Sequence, residues 1–307
     1  MASPELNDIV QMLRDRAKAG AENPPTLDER RAGVIAGGQA FEDLSGVGTE
    51  AVNANSVSCE WVATAEADPS RTIVYLHGGG YVIGSIVSHR GIAASVARST
   101  KARVLSVDYR LAPEHTFPAP VEDVMSVYRW LLASGQDASK IAIVGDSAGG
   151  GLAVAAMVAI KGAGLPMPGA GVCISPWVDM EALSDSYDSR AALDPMLTRA
   201  GILAFAKDYM GDADPKSPMA SPIYADLSGL PPILIQVGTS EAIYDDSTWL
   251  RDYATKAGVD VTFEAWDDMV HVWHRYAPKL PEAQQAVDRL GEFVQEKLGA
   301  AAVPTGD

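Results

Sequence analysis

Hydrophobic positions along the chain change their period several times, and each change marks an element. Near the start, Leu6, Ile9, Val10 and Leu13 share one helical face, with Ser3 placed to cap it and Pro4 fitting the first turn. Thr26 and Glu29 have the spacing of a capping box, which predicts a second helix. Both helices are amphipathic and need a body to lie on. From about residue 47 the pattern shifts to short β runs. "VSCEWVAT" alternates, as a half-exposed strand does. "TIVYLHG", "RVLSVDY", "IAIVGDS", "GVCISP" and "PILIQVG" are continuous and β-branched, the signature of strands covered on both faces. "VTFEAWD" alternates again, which predicts an edge. Helical patterns lie between, at about 88–99, 119–133, 148–161, 246–257 and 281–298. This order predicts an α/β fold, a mainly parallel sheet with helices on both faces.

One stretch breaks the rhythm. Between "ISPWVDM" and "SGLPPILIQVG" lie about 50 residues with a helical segment, "LTRAGILAFAKDYM", and no strand pattern. Such an insertion usually covers something. The chain therefore divides into a helical cap segment, 1–45, and a main domain, 46–307, with a cap insertion at about 180–225.

Composition narrows the partners. The chain has 307 residues, 47% of them hydrophobic, enough for a sizeable core. A net charge of −16 disfavours phosphate backbones and anionic lipid, so neither nucleic acid nor membrane is an expected partner. Cys59 and Cys173 stand far apart in apolar runs and read as reduced, buried thiols. "MASPELNDIVQMLRDRAK" lacks a basic start followed by an apolar core, and no apolar run nears the roughly 18 residues of a membrane span. A cytoplasmic protein is the expectation.

The chemistry starts at "GDSAGGG", where a buried strand gives way at once to a helical pattern. Functional groups in parallel sheets collect beyond the carboxyl ends of the strands. Ser147 sits there, in the G-x-S-x-G spacing of a nucleophile elbow. A turn that tight leaves no room for side chains at Gly145 and Gly149, and little at Ala148. A phosphate loop fits poorly, because no Lys-Ser/Thr pair follows and Asp146 would repel phosphate. Upstream, "YLHGGGYVIGS" again follows a buried strand. Gly79 and Gly80 can aim bare backbone N–H groups into a cavity and, with the N–H of Ala148, form a three-donor oxyanion hole.

A serine hydroxyl needs a base to become nucleophilic. Of five histidines, His89 begins a helix read as lying at the surface and His115 lies in a turn. His77 reads as a structural hydrogen-bonder. His271 and His274 follow the last strand, in a loop able to fold back over Ser147. His271, with apolar Met269, Val270 and Trp273 around it, is the leading base and His274 the alternative. A metal reading of His271-x-x-His274 lacks a third ligand at sensible spacing. The carboxylate that orients the base should follow "PILIQVG". Glu241 is the first choice and Asp245 the second, since helix capping accounts for at least one of Asp245 and Asp246.

Together "HGGGYVIGS", "DYRLAPEHTFPAPVED", "GDSAGG", "ISPWVDM", "SPIYADLSGLPPILIQVG" and "MVHVW" resemble the hormone-sensitive-lipase-type (bacterial type IV) esterases of the α/β-hydrolase fold. The resemblance runs from about residue 60 onward. It implies an eight-stranded sheet and a carboxylesterase without metal or cofactor. It places Ser147 as nucleophile, His271 as base, and Gly79, Gly80 and Ala148 as the oxyanion hole. Many members carry Asp-Pro-Leu where this chain has Glu241-Ala242-Ile243, so the acid is the member of the set that departs from the pattern. Members often form homodimers; the sequence itself does not show one. The expected substrate is a small ester, short-chain, or a lactone. Tyr81, Trp177, Leu197, Ile202 and Phe205 are candidates for its pocket, with ordinary cap packing as the competing account. Amide hydrolysis by the same groups, or a binding protein on a retired hydrolase scaffold, are the alternatives.

Overall fold

The central strand runs alternate between two faces, and that alternation builds both layers of the core. In a computed structural model that describes residues 3–299, eight strands form one sheet. They are β1 (Val47–Ala54), β2 (Val57–Thr64), β3 (Asp68–Leu76), β4 (Ala102–Val107), β5 (Ile141–Asp146), β6 (Ala170–Ile174), β7 (Ile233–Gly238) and β8 (Val261–Trp266). The order across the sheet is β1-β2-β4-β3-β5-β6-β7-β8. β2 pairs antiparallel with β1 and with β4, and every other pairing is parallel.

The helices are α1 (Pro4–Glu22), α2 (Leu27–Gln39), α3 (Ile86–Thr100), α4 (Ala119–Ala133), α5 (Ala148–Gly162), α6 (Ser186–Ser189), α7 (Arg199–Met210), α8 (Tyr244–Lys256) and α9 (Pro281–Leu298). In β3, Ile73 and Tyr75 join Ile92 and Val96 of α3 and Leu290 and Val294 of α9 in one buried cluster. Val74 and Leu76, one residue out of step, join Val124 of α4, Leu152 of α5 and Leu250 of α8 in another. A period of two with both faces apolar is what covering a sheet on two sides demands. This is the α/β-hydrolase architecture expected from the motifs.

β1 is the strand that the hydrophobic pattern did not reveal. Its sequence, VGTEAVNA, is mostly exposed at the edge of the sheet and has little to bury. It is held instead by its ladder to β2 across a two-residue turn, Asn55–Ser56, in which both residues have positive φ. At the opposite edge β8 is half-buried, as its alternation predicts.

The N-terminal helices begin as read. Ser3 Oγ accepts from the Leu6 N–H, and Thr26 and Glu29 close a reciprocal capping box. Leu6, Ile9 and Leu13 of α1 pack with Met269, Val270 and Trp273, the residues flanking His271, and with Ala283 and Val287 of α9. α2 is fastened by Arg31, which donates to the carbonyls of Val82 and Ala112 at 3.0 Å and to both oxygens of Glu114 at 2.7 Å. The insertion between β6 and β7 contains α6 and α7 and no strand. Residues 300–307 of the 46–307 unit lie outside the described residues. No helix among the described residues is long and apolar enough to cross a membrane.

Candidate active site

Loops after β3, β5, β7 and β8 meet above the carboxyl ends of the strands. The abrupt passage from β5 to α5 puts Ser147 at φ 55° and ψ −121°, a region that costs a non-glycine residue on the order of 1–3 kcal/mol. Neighbouring backbone offsets that cost. The Ser147 N–H donates to the Ile174 carbonyl at 2.8 Å, and the Ser147 carbonyl accepts from Trp177 at 3.0 Å. A Cβ at Gly149 would overlap the Leu76 carbonyl, and one at Gly145 would overlap that of Gly149. The glycines of the elbow are therefore demanded by backbone packing on both sides of the serine.

His271 reaches this serine from the loop after β8. Its Nε2 lies 2.9 Å from Ser147 Oγ, and its Nδ1 lies 2.8 Å from Glu241 Oε2. A carboxylate only accepts, so Nδ1 carries the proton and Nε2 is left to take one from the serine. His271 is buried. Burial opposes its charged form, but the hydrogen bond and charge of Glu241 outweigh that, and the net effect raises its pKa. Glu241, fully buried, also accepts from Ser175 Oγ at 2.7 Å and from the Gly238 N–H at 2.6 Å. These bonds hold the carboxylate in the orientation that faces His271.

Asp245, the alternative acid, is elsewhere. It accepts from the Ser186 N–H at 2.9 Å, inside the first turn of α8. Asp246 takes the N–H groups of Val178 and Asp179. Neither caps α8, contrary to the sequence expectation: its N-cap is Ile243, without a side-chain bond. Both carboxylates instead anchor the chain that leaves β6 and begins α6.

Gly79 and Gly80, both at positive φ, line the same cavity as Ser147. Among the described residues their N–H groups, like that of Ala148, donate to no protein acceptor. Free backbone donors beside the serine are what a developing oxyanion requires. The loop bearing the glycines is held from below. Asp146 accepts from Tyr75 Oη at 2.6 Å and from the Gly78 N–H at 3.1 Å, with His89 Nε2 at 3.5 Å.

The cavity at Ser147 measures about 130 Å³. Trp177, Leu197, Ile202 and Phe205 line it, together with Val34 of α2, Ile83 and Met196. Tyr81 does not. It is fully buried, its ring stacked 3.8 Å from that of Tyr209, where it supports the wall from behind. His89 corrects a second expectation: it is not on the surface but buried, facing Asp146 and the cavity. His77 donates from Nδ1 to the Gly78 carbonyl at 2.8 Å, and burial lowers its pKa to about 3. His274 donates from Nε2 to Gln236 Oε1 at 2.8 Å, and burial pushes its pKa down to about 3; among the described residues no group of three or more His, Cys, Asp or Glu is placed to hold a metal ion. His115 is exposed.

Two useful residues gave no sequence signal. Ser175 follows β6 at φ 46° and bridges Glu241 to the Val272 N–H. Asp194 accepts from Met196 and Leu197 through one oxygen and from Ala242 through the other, which ties the cavity wall to the loop of the acid.

Comparison with known proteins bears on the fold and the family. The α/β-hydrolase fold family matches residues 73–275. An acetyl-hydrolase of Streptomyces hygroscopicus is 42% identical over 97% of this chain and 99% of its own length. A crystal structure of an esterase from the bacterial hormone-sensitive lipase family superposes with a TM-score of 0.94, at 47% identity, over 97% of this chain and all of that one. The chain belongs to the α/β-hydrolase family, among its hormone-sensitive-lipase-type esterases. Within that family it is also similar to the carboxylesterase NlhH of Mycobacterium tuberculosis, 34% identical over 92% of this chain and 88% of that protein. The Ser, acid, His order along the chain is the α/β-hydrolase order.

Proposed function

We propose that this esterase hydrolyses small carboxylic esters, short-chain or cyclic, through an acyl-enzyme on Ser147. The observation that carries this reading is the unbroken row Ser147–His271–Glu241, at 2.9 and 2.8 Å, on the floor of a small apolar cavity. Ser147 Oγ attacks the ester carbonyl carbon as its proton passes to His271 Nε2. The carbonyl π pair moves onto oxygen, where the N–H groups of Gly79, Gly80 and Ala148 receive the negative charge. The tetrahedral centre collapses, the C–O bond to the alcohol breaks, and His271 returns its proton to the leaving oxygen. Water then adds to the acyl carbon with the same imidazole as base, and Ser147 is released with the acid. Glu241 fixes the tautomer and balances the imidazolium.

Size supports the substrate class. The cavity is smaller than the roughly 300–1,000 Å³ of pockets that enclose drug-sized ligands. A related esterase structure at 45% identity, EstE5, was soaked with p-nitrophenyl butyrate. The test is a p-nitrophenyl ester series from acetate to palmitate with a lactone panel, using Ser147→Ala as blank. Turnover should peak at short acyl chains and fall on the order of 10⁵- to 10⁶-fold in the variant. Retained turnover in Ser147→Ala, or a maximum at palmitate, refutes the proposal.

A further inference from the structure

Outside the Ser147 cavity lies a second, larger chamber of about 600 Å³. The two spaces share Val34, Ile83, Met196 and Arg275 in their linings, so the outer chamber adjoins the reaction site with those side chains at the boundary. Three arginines line it: Arg16 from α1, Arg30 from α2, and Arg275 just after His271. Among the described residues none of their guanidinium groups makes a hydrogen bond or an ion pair with the protein. Other arginines do, as with Arg31 on Glu114, Arg90 on Glu60 and Arg110 on Asp123. The single carboxylate in the lining, Glu29, is engaged at the N-terminus of α2, where its Oε2 takes the Thr26 N–H and Oγ1. Arg30 is held over the Phe205 ring at 4.7 Å, and Phe205 also lines the inner cavity.

A chain with 40 acidic and 24 basic residues has ample carboxylates to pair three arginines. Leaving three unpaired around one concavity makes a local positive field on an otherwise anionic molecule. A guanidinium presents planar, paired donors that fit a carboxylate or phosphate. We propose that this chamber binds an anionic end of the substrate. The preferred esters then carry a carboxylate, or a phosphate in the same role, several bonds from the reacting carbonyl. The carbonyl reaches Ser147 while the anion meets Arg16, Arg30 and Arg275. This assignment of substrate class rests on the esterase reading above.

Monoethyl esters of α,ω-dicarboxylic acids, glutarate through sebacate, test it against their own diethyl esters, which keep the reacting ester and remove the charge. The full chain at low salt should favour the monoester by about tenfold or more in kcat/KM at the best-matched length. That ratio should fall toward one in 0.5 M salt and in the Arg16→Gln/Arg30→Gln double variant, with folding checked by thermal melting. Preference for the diester at every length, or a preference that the double variant leaves intact, overturns the inference. p-Nitrophenyl acetate turnover in the same preparation reports the esterase reading separately. If that reading fails, calorimetric titration of suberate into the full chain still decides the matter. Arginine-dependent binding supports the chamber, and equal or absent binding in wild type and double variant overturns it.

Discussion

Replacing Glu241 with glutamine probes the site with nearly no change in volume. The carboxylate accepts from three donors, and two of them, Ser175 Oγ and the Gly238 N–H, converge on Oε1. The Gly238 N–H can only donate, so an amide oxygen must take the Oε1 position. The amide NH₂ then faces His271 Nδ1, where Glu241 Oε2 now lies at 2.8 Å. The imidazole must offer Nδ1 as acceptor and carry its proton on Nε2, toward Ser147. In that tautomer it cannot take the serine proton. The wrong tautomer in a comparable triad lowers kcat by about 10⁴-fold, and a loss of about 10³- to 10⁴-fold is expected here. The pH profile should move as well. Glu241 raises the pKa of His271 against the effect of burial. The acid limb of kcat/KM in the wild type should therefore lie on the alkaline side of an ordinary imidazole. Without that carboxylate, burial is opposed only by the smaller effects of Asp194 and Asp146, and the limb shifts to lower pH. For stability the sign runs the other way. A raised histidine pKa stabilises the fold fully below the unfolded-state value, and that contribution is lost as pH rises through the folded one. The assay is stopped-flow hydrolysis of p-nitrophenyl acetate from pH 5 to 9. A Glu241→Gln enzyme with more than a tenth of wild-type kcat, or an unmoved acid limb, refutes the reasoning.

Two further substitutions separate scaffold from chemistry. Gly149→Ala places a Cβ into the Leu76 carbonyl at the elbow and should destabilise the fold by about 3 kcal/mol or more, read from urea unfolding; a loss under about 1 kcal/mol would show that the turn relaxes easily. Ser175→Ala removes one donor to Glu241 and leaves the buried Val272 N–H without its acceptor. It should cost about 1–3 kcal/mol of stability and roughly tenfold in kcat with little change in KM, and an equal rise in KM would argue against a purely orienting role.

The sheet was legible because its central strands are buried on both faces and write that burial as unbroken β-branched runs. β1 escaped because an exposed edge strand is held by backbone ladder bonds, which leave no hydrophobic trace. At the site, the motif around Ser147 speaks through glycines that backbone contacts impose, so position and reason could both be read. The choice of Glu241 over Asp245 turned on loop geometry within a few residues, and only coordinates show which carboxylate faces His271. His89 was misread as a surface residue because a polar side chain early in a helix usually faces water. It is buried with Asp146, more than fifty positions later in sequence, and His77 beside it, neighbours that the local pattern does not reveal. Tyr81 was misplaced for a related reason: adjacency to Gly80 does not reveal that its ring turns back to stack on Tyr209.

The reacting groups and the cavity walls have separate structural origins. Ser147, Glu241, His271 and the glycines ride on loops at the ends of sheet strands, whereas Val34, Ile202 and Phe205 belong to helices outside the sheet. A lineage can thus exchange its repertoire of esters by remodelling two helices while inheriting the reaction unchanged. Mutational drift in α2 and α7 should accordingly broaden or redirect selectivity long before it extinguishes turnover.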